Sequence, residues 1–269
     1  MSKDSKMSKY DHTFAICAYK ESPYLEECIK SVIEQKIPSK VIMVTSTPNA
    51  YIDQLCKKYD IPLTINDGES GIVQDWNFAY KMSDTKYVTI AHQDDVYLPD
   101  YTFELLNKAR QTGNMIIAFT DYAELREGVV TTKNQMLRIK RILLAPLKIL
   151  WFQKSVFVRR RILSFGCPIC CPSVMFAKEN LSGEVFQKGY RSDEDWQAWE
   201  KLSKCKGYFV YVDKILMYHR IHEESETSII IGDNARIIED YEMFCKFWPK
   251  PLAKLLVKFY SKSQKSNEL

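Results

Sequence analysis

Residues Tyr87 to Asp100 read YVTIAHQDDVYLPD. The first five are apolar and partly β-branched, the pattern of a buried strand, and the run stops abruptly at His92-Gln93-Asp94-Asp95. Carboxylates at a strand's end place hard oxygen ligands at the edge where open α/β sheets bind their ligands. Adjacent acids repel, and a divalent cation bridging to substrate phosphates would relieve that; magnesium- and manganese-type ions take such ligands. The plainer reading is a solvated Asp-Asp turn ahead of a helix starting near Leu98-Pro99-Asp100. Two other stretches carry chemistry. Tyr190–Leu202, YRSDEDWQAWEKL, predicts a helix capped by Ser192 or Asp193, with Trp196, Trp199 and Leu202 on its apolar face. Glu194 and Asp195 fall in its first turn, where the helix dipole by itself favours acids. Tyr218–Thr227, YHRIHEESET, is polar and holds two of the four histidines. Histidine beside Arg, Ser and Thr suits phosphate or metal. Cys167-Pro-Ile-Cys170-Cys171 contains a CxxC, but no second pair stands at zinc spacing, so a packed loop is the stronger reading.

The elements that must hold these residues alternate. Thr13–Ala18, Lys40–Thr45, Ile61–Ile65, Tyr87–Ala91 and Met115–Thr120 read as strands. Helices are predicted after Ser22-Pro23 (Ser22 the cap; Leu25, Cys28, Ile29, Val32 and Ile33 inward), over Asn49–Tyr59, over Gly71–Met82 and over Tyr101–Arg110. That order argues for a mostly parallel sheet with crossover helices. Pro172–Ala177 and two short runs within Tyr208–Tyr218 add strands. Neither a G-x-G-x-x-G nor a Walker-type loop occurs, which disfavours dinucleotide and P-loop sites.

Charge is uneven. The net charge of +4 is too mild to imply nucleic acid, yet no acid occurs between Gly128 and Lys178 or between Met243 and Asn267. Within Met136–Leu163, Lys140, Arg141, Lys148, Lys154 and Arg159-Arg160-Arg161 alternate with Leu, Ile, Trp151 and Phe, and Pro146 divides two predicted helices. Lys246, Lys250, Lys254 and Lys258 climb one side of a C-terminal helix. Both stretches have the composition of helices lying on an anionic membrane surface; core helices with solvated cationic stems are the alternative. The polar N-terminus has no signal-peptide core and no run is long enough to span a bilayer, so a cytoplasmic, membrane-peripheral protein with reduced cysteines is expected.

Taken together, these elements resemble the large inverting family of GT-A fold glycosyltransferases called family 2, over roughly Thr13 to Thr227. The Ala18-Tyr19-Lys20-Glu21 turn is similar to the family's base-cupping loop, and Gly71–Asn77 (GIVQDWN) resembles its helix start near the nucleotide. His92-Gln93-Asp94-Asp95 is similar to its D-x-D motif, and Glu194-Asp195-Trp196 to its E-D-W/Y motif. Tyr218–His222 with Ser225 and Thr227 resembles the closing loop that reaches the pyrophosphate. The resemblance implies an α/β GT-A (Rossmann-like) catalytic domain over 1–232. Basic amphipathic helices would be inserted after the fifth strand (136–165), and a helical tail would occupy 233–269.

It further implies nucleotide contacts at Ala18, Tyr19, Glu21, Ser46, Asn77, His92, Gln93 and Asp94, and Mn2+ or Mg2+ on Asp94 and His222. Asp195 would be the catalytic base, and Asp95, Glu194, Trp196 and Arg220 would line the donor or acceptor pocket. The implied donor is a nucleotide-diphosphate sugar and the implied acceptor a hydroxyl; the basic, apolar stretches suggest that this acceptor is a glycan built on a polyprenyl diphosphate at the cytoplasmic face of the bilayer. Three positions depart from the pattern: Thr45-Ser46 replaces an Asp for the base, His92 the first Asp of D-x-D, and Trp76 a common Arg. A sugar nucleotidylyltransferase and a non-catalytic membrane-binding descendant are the rivals.

Overall fold

In the computed structural model, which describes residues 9–222 and 234–265, the alternating first half becomes a parallel sheet. The strands β1 (His12–Ala18), β2 (Lys40–Thr45), β3 (Leu63–Ile65) and β4 (Tyr87–His92) pair in parallel. The helices α1 (Leu25–Ile33), α2 (Ala50–Lys58) and α3 (Ile72–Met82) connect them. After β4 come the two-residue strand β5 (Val96–Tyr97) and helix α4 (Tyr101–Gln111). The remaining strands are β6 (Met115–Arg126), β7 (Val129–Thr131), β8 (Val174–Ala177) and β9 (Tyr208–Ile221). The order is β3-β2-β1-β4-β8-β6-β9-β5, with β7 on the edge of β6. Strand period sorts β1 between two cores: Phe14, Ile16 and Ala18 face α1, α2 and α4, while Ala15 and Cys17 face the opposite layer.

Beyond its parallel half the sheet is mixed, because β8 runs antiparallel between β4 and β6. Four expectations are corrected. The fifth strand, expected over Met115–Thr120, continues to Arg126, and the two short runs expected within Tyr208–Tyr218 are one 14-residue strand. Bulges shift the β6–β9 register near Thr120–Ala123 and let both bend on. Helix α1 begins at Leu25 without a side-chain cap; Ser22 Oγ accepts from the Tyr24 N–H instead, and Ile33 is 44% exposed.

The segment after β7 folds as α5 (Gln135–Leu144), a 3-10 turn containing Pro146, the single turn α6 (Leu150–Gln153) and α7 (Val156–Leu163). Helix α8 (Glu194–Ser203) and two C-terminal helices, Asn234–Cys245 and Lys250–Lys265, pack on the same side. Several of the cations expected to face lipid have protein partners. Arg141 Nε donates to Asp121 Oδ2 at 2.7 Å, Lys140 Nζ to the Tyr122 hydroxyl at 2.8 Å, and Arg160 Nη1 to Glu200 Oε1 at 2.6 Å. Lys148 pairs with Asp213. Arg159, 1% exposed, donates to the Gly207 and Cys205 carbonyls just past the end of α8, where the helix dipole is negative. Among the described residues no helix is long and apolar enough to cross a membrane.

Arg159→Met keeps the stem and removes both donors. It should lower unfolding stability by about 1.5–3 kcal/mol, read as a drop in the urea midpoint. An unchanged midpoint would show that the guanidinium is not what closes that helix end.

Candidate active site

The polar stop after β4 becomes a tight turn into β5, and β5 pairs Val96 with Tyr218 and Tyr97 with Met217 of β9. That pairing fixes which way each acid points. Asp95 is fully buried: its Oδ1 accepts from the Arg220 backbone N–H and from His219 Nδ1, both at 2.9 Å. The expectation that Asp95 lines a substrate pocket is therefore corrected. It braces the end of β9. The Asp94 side chain stays 19% exposed, and its Oδ2 accepts from His222 Nε2 at 3.0 Å. Burial alone would raise the Asp94 pKa, but the His222 hydrogen bond and the fields of His92 and His219 outweigh it, and the net shift is downward. Asp94 is held as a carboxylate.

Arg220 was expected in the pocket and is instead 7% exposed. Its Nε donates to the Asp94 carbonyl at 2.8 Å, its Nη2 to Glu27, and its guanidinium lies 4.3 Å from the Tyr24 ring centre. It positions the turn and α1 together. His92 stacks on Trp76, centroids 5.0 Å apart and planes within 14°. The two departures from the family pattern thus meet face to face, an aromatic stack where the pattern has Asp and Arg. Burial lowers the His92 pKa, and its buried Nε2 has no hydrogen-bond partner among the described residues.

Gln93 clamps the end of β1 reciprocally: its Oε1 accepts from the Tyr19 N–H at 2.9 Å and its Nε2 donates to the Tyr19 carbonyl at 3.0 Å. Lys20 has φ +54°, and its N–H donates to Thr47 Oγ1 at 2.6 Å, so the turn after buried Ala18 arches over β2 with Tyr19 and Glu21 exposed. Ser46 Oγ donates to Asp75 Oδ2 at 2.7 Å, and Asn66 Nδ2 to Asp75 Oδ1 at 2.7 Å. Asp75 was missed in the sequence reading. It delivers a carboxylate from the first turn of α3 to the ends of β2 and β3, beside the position where an Asp on β2 is absent. Its presence within GIVQDWN was the available signal. Asn77 does not reach this space, because both ends of its amide bond the Phe186 backbone, at 2.8 and 3.1 Å.

Asp195 reaches the same edge from the other side of the sheet. Because β8 is antiparallel, its amino end, preceded by residues 167–173, lies where β4 ends. The Tyr97 hydroxyl donates to the Pro172 carbonyl at 2.9 Å, and the Cys167 thiol donates to Asp195 Oδ2 at 3.5 Å. The Asp195 charge is felt at His92, where it opposes the burial effect. Burial raises the Asp195 pKa, against the Trp196 N–H bond to Oδ1 at 2.6 Å and smaller contributions from Lys140, Cys167 and Arg236.

Trp196, expected in the pocket, is wholly buried and donates Nε1–H to the Leu163 carbonyl at 3.0 Å, anchoring α8 on α7. Asp193 makes no capping bond; it is buried, with its pKa raised by burial and then by Asp240. Glu194 lines a cavity of about 290 Å³ with Ile72–Gln74 and Lys188–Arg191. Ser225 and Thr227 lie outside the described residues. Among the described residues no three or more His, Cys, Asp or Glu converge as a metal cluster.

A family model described as Glycosyl transferase family 2 matches residues 13–186. No match is found among curated protein sequences. Among solved structures, S. aureus TarS 1-349 in complex with UDP-GlcNAc aligns with a TM-score of 0.63 at 14% identity, over 92% of this chain and 70% of that one. The mannosyltransferase PcManGT from Pyrobaculum calidifontis, in complex with GDP-Man and Mn2+, aligns at 0.59 and 15% identity, over 94% and 70%. At such identities the structural likeness establishes the fold.

Burial pushes the Cys167 thiol well above its ordinary pKa, so it stays a donor. Cys167→Ala removes one hydrogen bond from the Asp195 carboxylate and should raise its pKa further, whereas Cys167→Ser should lower it. Carboxyl-carbon NMR titration of labelled aspartate reads both. No movement in either variant would mean that the thiol does not act on Asp195.

Proposed function

Because the chain belongs to glycosyl transferase family 2, we propose that the edge shared by β1, β2 and β4 binds a nucleotide-diphosphate sugar and that Asp195 deprotonates the attacking hydroxyl. The chain is a glycosyltransferase by family; the residue roles are our reading. The observation that carries it is a pair of carboxylates at one sheet edge whose environments push their pKa values apart, Asp94 down and Asp195 up. A group held anionic beside histidines suits the diphosphate end through a cation. A group raised towards neutrality, with its proton affinity increased, suits a general base.

Asp94 and His222 offer a carboxylate oxygen and an imidazole nitrogen 3.0 Å apart. That donor set fits Mn2+ or Mg2+, which complete their shells with substrate phosphates and water. When bound, the ion supplies Lewis-acid stabilisation of the leaving diphosphate. The chain's own groups do the rest. The Tyr19–Gln93 clamp, the Ala18–Glu21 turn and His92 frame the nucleoside, with Ser46, Asp75 and Asn66 offering the base its polar partners. Asp195 takes the acceptor proton as the hydroxyl oxygen bonds the anomeric carbon and the bond to the β-phosphate breaks, which inverts that carbon. The cavity at Glu194 and Arg191 is the acceptor's approach. TarS with UDP-GlcNAc and PcManGT with GDP-Man support a nucleotide-sugar donor. For the acceptor we favour a polyprenyl-diphosphate-linked glycan at the cytoplasmic face of the plasma membrane, in surface polysaccharide assembly.

Asp195→Asn should cut turnover about 10²–10⁴-fold while donor nucleotide still binds, measured by donor hydrolysis and calorimetry in parallel. Turnover near that of the unaltered protein would remove Asp195 from the role. Asp94→Ala should abolish the manganese-dependent part of nucleotide affinity; affinity that ignores manganese in both proteins would contradict the metal assignment.

A further inference from the structure

The two acid-free stretches, residues 129–177 and 244–267, are far apart in the chain, and the fold joins them. Trp248 Nε1 donates to the Ser164 carbonyl at 2.7 Å, and Arg160 Nη2 to the Lys246 carbonyl at 3.2 Å. The rings of Phe165 and Trp248 lie 5.7 Å apart, and the Tyr260 ring covers the α-carbon of Gly166. The joined unit exposes large apolar side chains from both parts. Leu150, Trp151 and Phe157 are 63%, 68% and 70% exposed, and Phe165, Leu255 and Phe259 are 44%, 49% and 66% exposed. Scattered exposed apolar residues are ordinary on a protein surface, but six such side chains on one packed unit are not.

The cations divide by role. Lys140, Arg141, Arg159 and Arg160 have protein partners, as described above. Lys154 and Arg161 instead lie over the rings of Trp151 and Trp248, at 3.8 and 4.5 Å, at the water-facing side. Lys254 and Lys258 are exposed next to Leu255 and Phe259 on the last helix, whose inward face is Ala253 and Val257. None of these four enters an ion pair among the described residues.

We propose that this joined face docks on an anionic lipid bilayer, with Trp151, Phe157 and Phe259 at the headgroup–acyl boundary and Lys154, Arg161, Lys254 and Lys258 on lipid phosphates. An apolar face ringed by cations is what an in-plane amphipathic surface requires. A second copy of the chain would set one group of unpaired cations against another, and a nucleic-acid duplex, whose bases stack on one another, would leave the exposed phenyl and indole groups without a partner. The inference deepens the acceptor half of the function proposed above and rests on it only there.

The test is co-sedimentation of the whole protein with vesicles of phosphatidylcholine alone and of phosphatidylcholine mixed with phosphatidylglycerol. Binding should favour the anionic vesicles about tenfold or more, weaken at high salt, and shift tryptophan emission to the blue. The pair of substitutions Trp151→Glu and Phe259→Glu, one in each segment, should lose about tenfold or more of that binding. It should leave the circular dichroism and the hydrolysis of soluble donor unchanged. Equal binding to both vesicle types, or retained binding in the double variant, would overturn the proposal. So would a dimer in gel filtration that the double variant dissociates, which would make a second copy the occupant. Lipid binding without any donor hydrolysis would sink the enzymatic reading and leave this surface standing; hydrolysis without lipid binding would do the reverse.

Discussion

Consecutive aspartates cannot comfortably share one environment as two charges: at about 4 Å and an effective dielectric near 20, like charges repel by roughly 4 kcal/mol. The chain separates Asp94 and Asp95 at the turn out of β4. Asp95 goes inward, where a histidine and a backbone N–H from β9 meet it, and Asp94 goes outward to a second histidine. All three partners come from four consecutive residues of the chain, His219 to His222. The end of β9 is therefore the device that lets two acids coexist, and the site depends on that strand running past its bulges in register. Arg220 extends the brace to Glu27 and Tyr24, so α1 is held to the same turn.

The other carboxylate is placed by different means. Asp195 owes its position to α8, which is fixed by Trp196 on Leu163 and by packing under the C-terminal helices, and to the antiparallel β8, which returns the 167–173 loop to the edge where β4 ends. Both carboxylates are buried, which raises proton affinity; the histidines around Asp94 outweigh that, and the N–H and thiol beside Asp195 do not. The asymmetry in proton affinity follows from this difference, since residue type is the same. Transfer chemistry needs such an asymmetry, with one group to carry charge and one to carry a proton.

Much of this was legible in the residues. The apolar run ending in His92-Gln93-Asp94-Asp95 announced both the strand and its polar edge, and the early strand–helix alternation fixed the layered architecture. What was not legible depended on partners distant in the chain. Whether Asp95 points in or out is decided by His219, more than a hundred residues later. Asn77 and Trp196 carry groups that could serve a ligand or the fold equally well, and only packing shows that Phe186 and Leu163 take them. Asp75 lay inside a stretch already singled out, but its meeting with Ser46 and Asn66 needs three elements converging at one edge. The basic stretch read as uniformly surface-facing because its acids, Asp121, Glu200 and Asp213, stand elsewhere in the chain.

The central claim is that Asp94 and Asp195 divide one cleft between a cation–diphosphate end and a proton-accepting end. Anomalous scattering from manganese in a crystal grown with nucleoside diphosphate tests it most directly. The account predicts a single peak at coordination distance from Asp94 and from phosphate oxygens, with Asp195 facing the same space and not ligating. A manganese peak on Asp195, or a diphosphate bound away from Asp94, would contradict it.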